Sequence, residues 1–139
     1  MQLRYLIISI LLLTACTTEE NLKTYSVSVT NSSLVQVEIL GYSGNALVFS
    51  KQIEPSKNVK ICSYISESFT GITCENDSIV FKFNNGTGYA CDLRGGSDSY
   101  CFKSKNPFVN EVSFAKIGDN NYNFVIDEMD YENAYVLHK

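Results

Sequence analysis

The stretch Ser78–Asp92, SIVFKFNNGTGYACD, decides how the rest of the chain is read. Ile79, Phe81 and Phe83 alternate with Val80 and Lys82, so one set of side chains lies on one face and the other set on the opposite face. That two-residue period belongs to a β-strand half buried against a core. The strand runs into Asn84-Asn85-Gly86, where Asn85 and Gly86 both tolerate the positive φ of tight hairpins, and a second strand is expected over Tyr89 to Leu93.

The same period recurs on both sides of this hairpin. Tyr25, Val27 and Val29 alternate with serines, Val35, Val37 and Ile39 with Gln36 and Glu38, and Tyr122, Phe124 and Ile126 with Asn123 and Val125. Further strands are expected over Ala46 to Ile53, Asn58 to Cys62, Glu111 to Lys116 and Tyr135 to His138. Between them lie the breakers Asn31-Ser32-Ser33, Gly41 to Asn45, Glu54-Pro55-Ser56, Gly95-Gly96 and Gly118 to Asn121. About eight or nine short strands at this spacing imply an all-β fold, a single antiparallel β-sandwich of immunoglobulin-like or similar type. One short helical turn is expected at Asp127 to Ala134, DEMDYENA, with Asp127 as its cap and carboxylates in its first turn, where the helix dipole favours negative charge.

The amino terminus follows different rules. Arg4 precedes a nearly unbroken apolar run from Tyr5 to Leu13, and Ala15 follows as a small residue, the order of a secretory signal. The run covers about ten residues, half of what a membrane-spanning helix needs. It ends in Leu13-Thr14-Ala15-Cys16. This resembles the lipobox of bacterial lipoproteins, and the resemblance implies cleavage before Cys16, a diacylglyceryl group on its sulfur and usually a further acyl chain on the new amino terminus. Two or three acyl chains anchor a protein far better than one, because each buried methylene adds roughly 0.8 kcal/mol. The expected division is a cleaved leader over 1–15, a lipidated tether over 16–23 and a β-sandwich over 24–139. By the same resemblance, Thr17 rather than aspartate after the lipid cysteine favours the outer over the inner membrane, and Glu19-Glu20 looks like the acidic tether of Bacteroidota lipoproteins.

Loss of Arg4 with the leader moves the net charge from −4 to −5, which opposes nucleic acid or anionic lipid as a partner. Four of the five cysteines lie in the body: Cys62, Cys74, Cys91 and Cys101. An oxidising compartment favours two disulfides, and the spacings lack the close cysteine pair that opens a structural zinc site. Of the three possible connectivities we favour Cys62 with Cys74 and Cys91 with Cys101, each closing a short loop rich in turn residues.

Catalytic signals are sparse, and no cofactor is called for. His138, the only histidine, sits next to the last residue, so a nucleophile with a histidine base is not expected. Asp127, Glu128, Asp130 and Glu132 contain a possible acid/base pair but read more simply as a solvated helix start. Asp119, Asn121, Asn123 and Asp130 trace part of a calcium loop, which fails at Phe124, where glycine is required. Asn85-Gly86-Thr87-Gly88 lacks the lysine and helix of a phosphate loop and is a turn. Asn31, Asn76 and Asn85 each open an Asn-x-Ser/Thr triplet, and Asp77-Ser78-Ile79 resembles the short O-glycosylation site of secreted Bacteroidota proteins; a glycan at any of them needs surface exposure.

The body is also similar to a group of small uncharacterised Bacteroidota lipoproteins, through Thr30 to Val37, Asp77 to Phe81 and Tyr122 to Ala134. That likeness implies no chemistry, and the four cysteines are outside it. Two classes of function remain. The first is a non-catalytic envelope module binding a protein or a glycan, with Arg94, Asp98 and Tyr100 of the stapled loop CDLRGGSDSYC as candidate contacts. The second is an envelope-directed hydrolase using a carboxylate pair.

Overall fold

The computed structural model describes residues 20–94, 100–108 and 111–138. Among the described residues, nine strands form two sheets: β1 Lys23–Asn31, β2 Val37–Ser43, β3 Ala46–Ile53, β4 Lys57–Ser66, β5 Ser78–Phe83, β6 Thr87–Asp92, β7 Ala115–Gly118, β8 Asn121–Ile126 and β9 Tyr135–Val136. One sheet has the order β4-β1-β8-β7 and the other β3-β2-β5-β6-β9. Their facing sides enclose one core. Val27, Val29, Phe124 and Ile126 come from the first sheet, Val37, Ile39, Ile79 and Phe81 from the second, and all are fully buried. Phe81 and Phe124 stack across the interior with centroids 5.5 Å apart. The fold is a β-sandwich, as the alternation implies.

Strand order within it departs from the immunoglobulin arrangement, in which the first two strands are neighbours in one sheet. Here β1 and β2 lie in opposite sheets. A second difference concerns direction. β1 and β8 run parallel, with Ser26 opposite Asn121 and Asn31 opposite Ile126. Every other pairing between these strands is antiparallel. A parallel pair needs a long connection, and the whole stretch from Ser32 to Asn120 separates these two strands.

Local chemistry explains several boundaries. β2 begins at Val37 rather than Val35 because the buried Asn31 amide captures the Val35 carbonyl at 2.7 Å and the Ile53 carbonyl at 2.9 Å. The β5–β6 hairpin uses a three-residue connection in which Gly86 alone adopts positive φ, 83°. The Asn85 side chain there accepts from the Thr87 amide at 3.0 Å. Gly41 is an interior strand residue rather than a breaker, since a Cβ there would meet the Phe49 ring at 2.2 Å. Residues Glu111–Ser113 form a 3-10 turn, and the strand expected there starts only at Ala115. Phe114 is the one side chain of that stretch drawn into the core, and Val112 is 91% exposed.

Helix α1, Glu128–Glu132, follows β8 with Asp127 as cap. Asp127 accepts from the Asp130 amide and Asp130 reciprocally from the Asp127 amide, a capping box that accounts for the acidic cluster. Cys62 is bonded to Cys74 and Cys91 to Cys101, with Cα separations of 5.9 and 4.7 Å. Each bridge ties a strand to irregular chain beside it. Among the described residues, no helix is long and apolar enough to cross a membrane.

Candidate functional site

A cleft of about 540 Å³ opens on one side of the sandwich. Its position follows from strand length. β7 pairs with β8 only as far as Asn123, so the last residues of β8 present a free edge. The segment Cys101–Lys105 lies beside that edge, and α1 folds over its far end. Phe102, Lys105, Val125, Met129, Asp130 and Tyr135 are among the lining residues.

Lys105 organises the floor. Its Nζ donates to the Val125 carbonyl at 2.6 Å, blocking the exposed strand edge, and forms an ion pair with the Asp130 carboxylate. The ammonium also lies over two rings, 5.0 Å from the Phe102 centroid and 5.2 Å from that of Phe124. Aromatic faces attract a cation through their quadrupoles, so the rings hold the charge while excluding water. The two side chains are only 15% and 12% exposed. Burial pushes the Asp130 carboxyl above its ordinary range, against hydrogen bonds from Lys105 and the Asp127 amide that favour the ionised form.

Aromatic side chains continue the wall. Tyr89 stacks on Phe102 at 3.8 Å between centroids, and its hydroxyl donates to the Asp130 carbonyl at 2.6 Å. Burial, followed by the charge of Asp130, pushes the Tyr89 hydroxyl up to about 12. Tyr135 meets Tyr89 edge-on at 5.8 Å, and Tyr100 meets Tyr135 at 5.7 Å. Tyr100 is 44% exposed and is not a lining residue of the cleft, which it meets through the Tyr135 ring. The cleft therefore has a polar, internally neutralised floor and an aromatic rim. Behind it, Asn123 Oδ1 accepts from Ser28, Thr30 and Asn58 at 3.1, 3.0 and 2.8 Å, fixing β8 to β1 and β4.

The candidate residues of the stapled loop fare differently. Tyr100 contacts the cleft-lining Tyr135 without lining the cleft itself, whereas Arg94 is exposed and its backbone amide donates to the Asp92 carboxylate at 2.7 Å. Asp98 lies outside the described residues, as does Cys16. Of Asp127, Glu128, Asp130 and Glu132, the carboxylates that could include an acid/base pair, Asp127 and Asp130 are occupied in the capping box and Glu128 accepts from the Leu34 amide. Asn121 and Asn123 lie in β8 as the alternation requires, and the described residues contain no group of three or more potential metal-ligating side chains. Asn31 and Asn76 are buried in hydrogen-bond networks, so of the three Asn-x-Ser/Thr triplets only Asn85 is exposed. Ser78 is half-buried within β5.

Lys105 and Phe102 carry no local signal in the sequence. Only the closure of Cys91 to Cys101 and the short reach of β7 bring them to the edge of β8. Comparison of the chain with protein-family models, with curated proteins and with solved structures finds no match.

Proposed function

We propose that the chain is a lipoprotein of the cell envelope, held by acyl chains on Cys16 at the outer membrane, whose sandwich acts as a non-catalytic binding module with its ligand in the side cleft. The observation that carries the binding reading is the aromatic wall of Tyr89, Phe102 and Tyr135, with the exposed Tyr100 ring against Tyr135, in a concave site whose buried ion pair is already satisfied. A volume of about 540 Å³ is that of a small-ligand pocket. Flat aromatic faces stack on the apolar face of a sugar ring, and Asn133, Ser104 and Ser113 supply hydrogen-bonding groups nearby. Protein partners commonly require about 800 Å² of contact surface on each side, so a glycan fits this concavity better. The leader and its lipobox support the envelope assignment, and two disulfides agree with an oxidising compartment.

The test uses the soluble Cys16→Ala chain titrated with envelope glycans and envelope proteins, with the ligand recovered and weighed by mass spectrometry. Saturable glycan binding, an unchanged ligand, and loss of affinity on Tyr100→Ala or Tyr135→Ala are expected. Binding only to a protein, indifference to both tyrosine variants, or a ligand recovered cleaved refutes the proposal. Intact mass of the natively expressed chain tests the anchor, since acylation must vanish with Cys16→Ala.

A further inference from the structure

The topology assigns the exposed side chains to one or other end of the sandwich. β1 starts at Lys23 opposite Ser66, and Ser26 lies opposite Asn121. The starts of β1 and β8, the end of β4 and the β7–β8 turn therefore share one end. In the other sheet Tyr42 opposes Leu47 and Ser78, and Ser78 opposes Asp92. Both sheets agree on the opposite end, where Asn31 reaches the Ile53 carbonyl and Ser32 the Ile126 carbonyl. The β2–β3 turn, the start of β5 and Leu93 thus lie at the end from which the tether leaves.

That end carries exposed aliphatic side chains. Leu22 precedes β1, Ile65 lies opposite Thr24, Ile117 sits at the end of β7, Leu47 at the start of β3 and Leu93 just after β6. Each is between 42% and 69% exposed. Charge at the same end is mostly negative, with Glu67, Glu75, Asp92 and Asp119 against Lys23 and Arg94. Six residues separate Lys23 from Cys16, a path of seven Cα-to-Cα steps. Fully extended they reach about 25 Å.

We infer that this end is a membrane-resting surface, in which Leu22, Leu47, Ile65, Leu93 and Ile117 contact the zwitterionic headgroup layer of the bilayer that holds the acyl chains. The inference rests on lipidation at Cys16 and adds to it an orientation. With so short a tether the bilayer is the surface this end meets at the highest effective concentration. Scattered aliphatic side chains suit the headgroup region, and the acidic surroundings select neutral over anionic lipid. The sandwich stands on end, and the side cleft opens along the membrane plane.

The chain contains no tryptophan, so single reporters can be placed cleanly. Leu47→Trp, Ile65→Trp and Ile117→Trp probe the tether end, and Leu34→Trp probes the loop before β2 at the opposite end. Each acylated full-length variant is reconstituted into phosphatidylcholine–phosphatidylethanolamine vesicles whose lipids carry bromine on their acyl chains. Loss of emission and a blue shift are expected for the first three, with Leu34→Trp unaffected. Adding phosphatidylglycerol is expected to weaken the quenching. Acylated, vesicle-bound protein with all four reporters unquenched overturns the orientation and leaves the lipoprotein reading intact. Equal quenching at Leu34→Trp, or stronger quenching with phosphatidylglycerol, also overturns it. A mass without acyl chains overturns both readings.

Discussion

Replacing Lys105 by methionine keeps most of the aliphatic stem between Phe102 and Phe124 but removes the charge, and its cost can be worked from the contacts. The substitution deletes a hydrogen bond to the Val125 carbonyl and an ion pair to Asp130. A neutral hydrogen bond contributes about 1 kcal/mol and one to a charged group about 1.5–3 kcal/mol. Breaking a fully buried pair costs about 3–5 kcal/mol. Here the partners are 15% and 12% exposed, so water relieves part of the penalty. We expect a loss of about 3 kcal/mol near pH 7, measured by urea denaturation followed by circular dichroism. Lys105→Met with Asp130→Asn should recover to within about 1 kcal/mol of the parent, because asparagine still accepts from the Asp127 amide and no buried carboxylate is stranded. The pH dependence has a definite sign. Asp130 already sits above the ordinary carboxylate range through burial, and without Lys105 it rises further. A carboxyl raised in the folded state contributes stability that is present at low pH and lost as pH rises through its folded value. The deficit of Lys105→Met must therefore shrink on acidification, as the parent loses its ion pair and the variant protonates its orphan. A deficit under about 0.5 kcal/mol at neutral pH, or one that grows on acidification, refutes the role given to this pair.

Three other outcomes follow from the same structure. Removing the Cys91–Cys101 bridge by paired alanine substitutions should cost about 3 kcal/mol from loop closure alone, and thiol counting on the unfolded parent should find no free sulfhydryl among its four body cysteines; one or more would contradict the pairing. Tyr89 and Tyr122 are both pushed up to about 12, chiefly by burial, so tyrosinate absorbance should rise in two stages. The unfolded chain releases these protons first, so stability should fall from about pH 10 to about pH 12; a single transition near the ordinary value counts against the buried settings. Asn31→Ala strands two carbonyls and the Ser33 donors that now meet the Asn31 amide, and a loss of about 3 kcal/mol in denaturation is expected; a loss below about 1 kcal/mol would mean water replaces the amide.

What the sequence disclosed depended on how far apart the interacting residues lie. The alternation in β5, the extent of β3 between its breakers and the cap at Asp127 are local, and the structure puts them where the sequence does. The cysteine pairing was accessible for a related reason, since each bridge joins chain segments only 12 and 10 residues apart. The parallel alignment of β1 with β8 was not, because nothing near Ser26 or Asn121 records a partner at the other end of the chain. Val35 has the alternation of a strand residue, but the buried Asn31 amide takes its carbonyl. A strand is expected over Glu111 to Lys116, yet only Phe114 of that stretch is needed by the core, and Glu111 instead accepts from the Tyr122 hydroxyl at 2.9 Å. Lys105, the centre of the cleft floor, has no sequence signature at all.

That last omission has a physical cause that bears on function. A lysine in an irregular segment normally has a solvated charge, and only a free strand edge with two rings behind it makes another position favourable. β8 needs such a cover because β7 stops short of Val125. The cover is a loop, held at one end by the Cys91–Cys101 bridge and at the other by Lys105 on Val125 and Asp130. Two fixed points four residues apart leave this segment little conformational freedom, although it has no strand or helix of its own. The device that protects an edge from unwanted strand addition therefore also makes a rigid cleft wall. A wall fixed before binding loses little entropy when a ligand arrives, so the affinity of a small glycan should depend on the staple as well as on the rings it touches. Reducing the Cys91–Cys101 bridge should weaken binding with Tyr100 and Tyr135 still in place, a loss that an unconstrained pair of rings would not suffer.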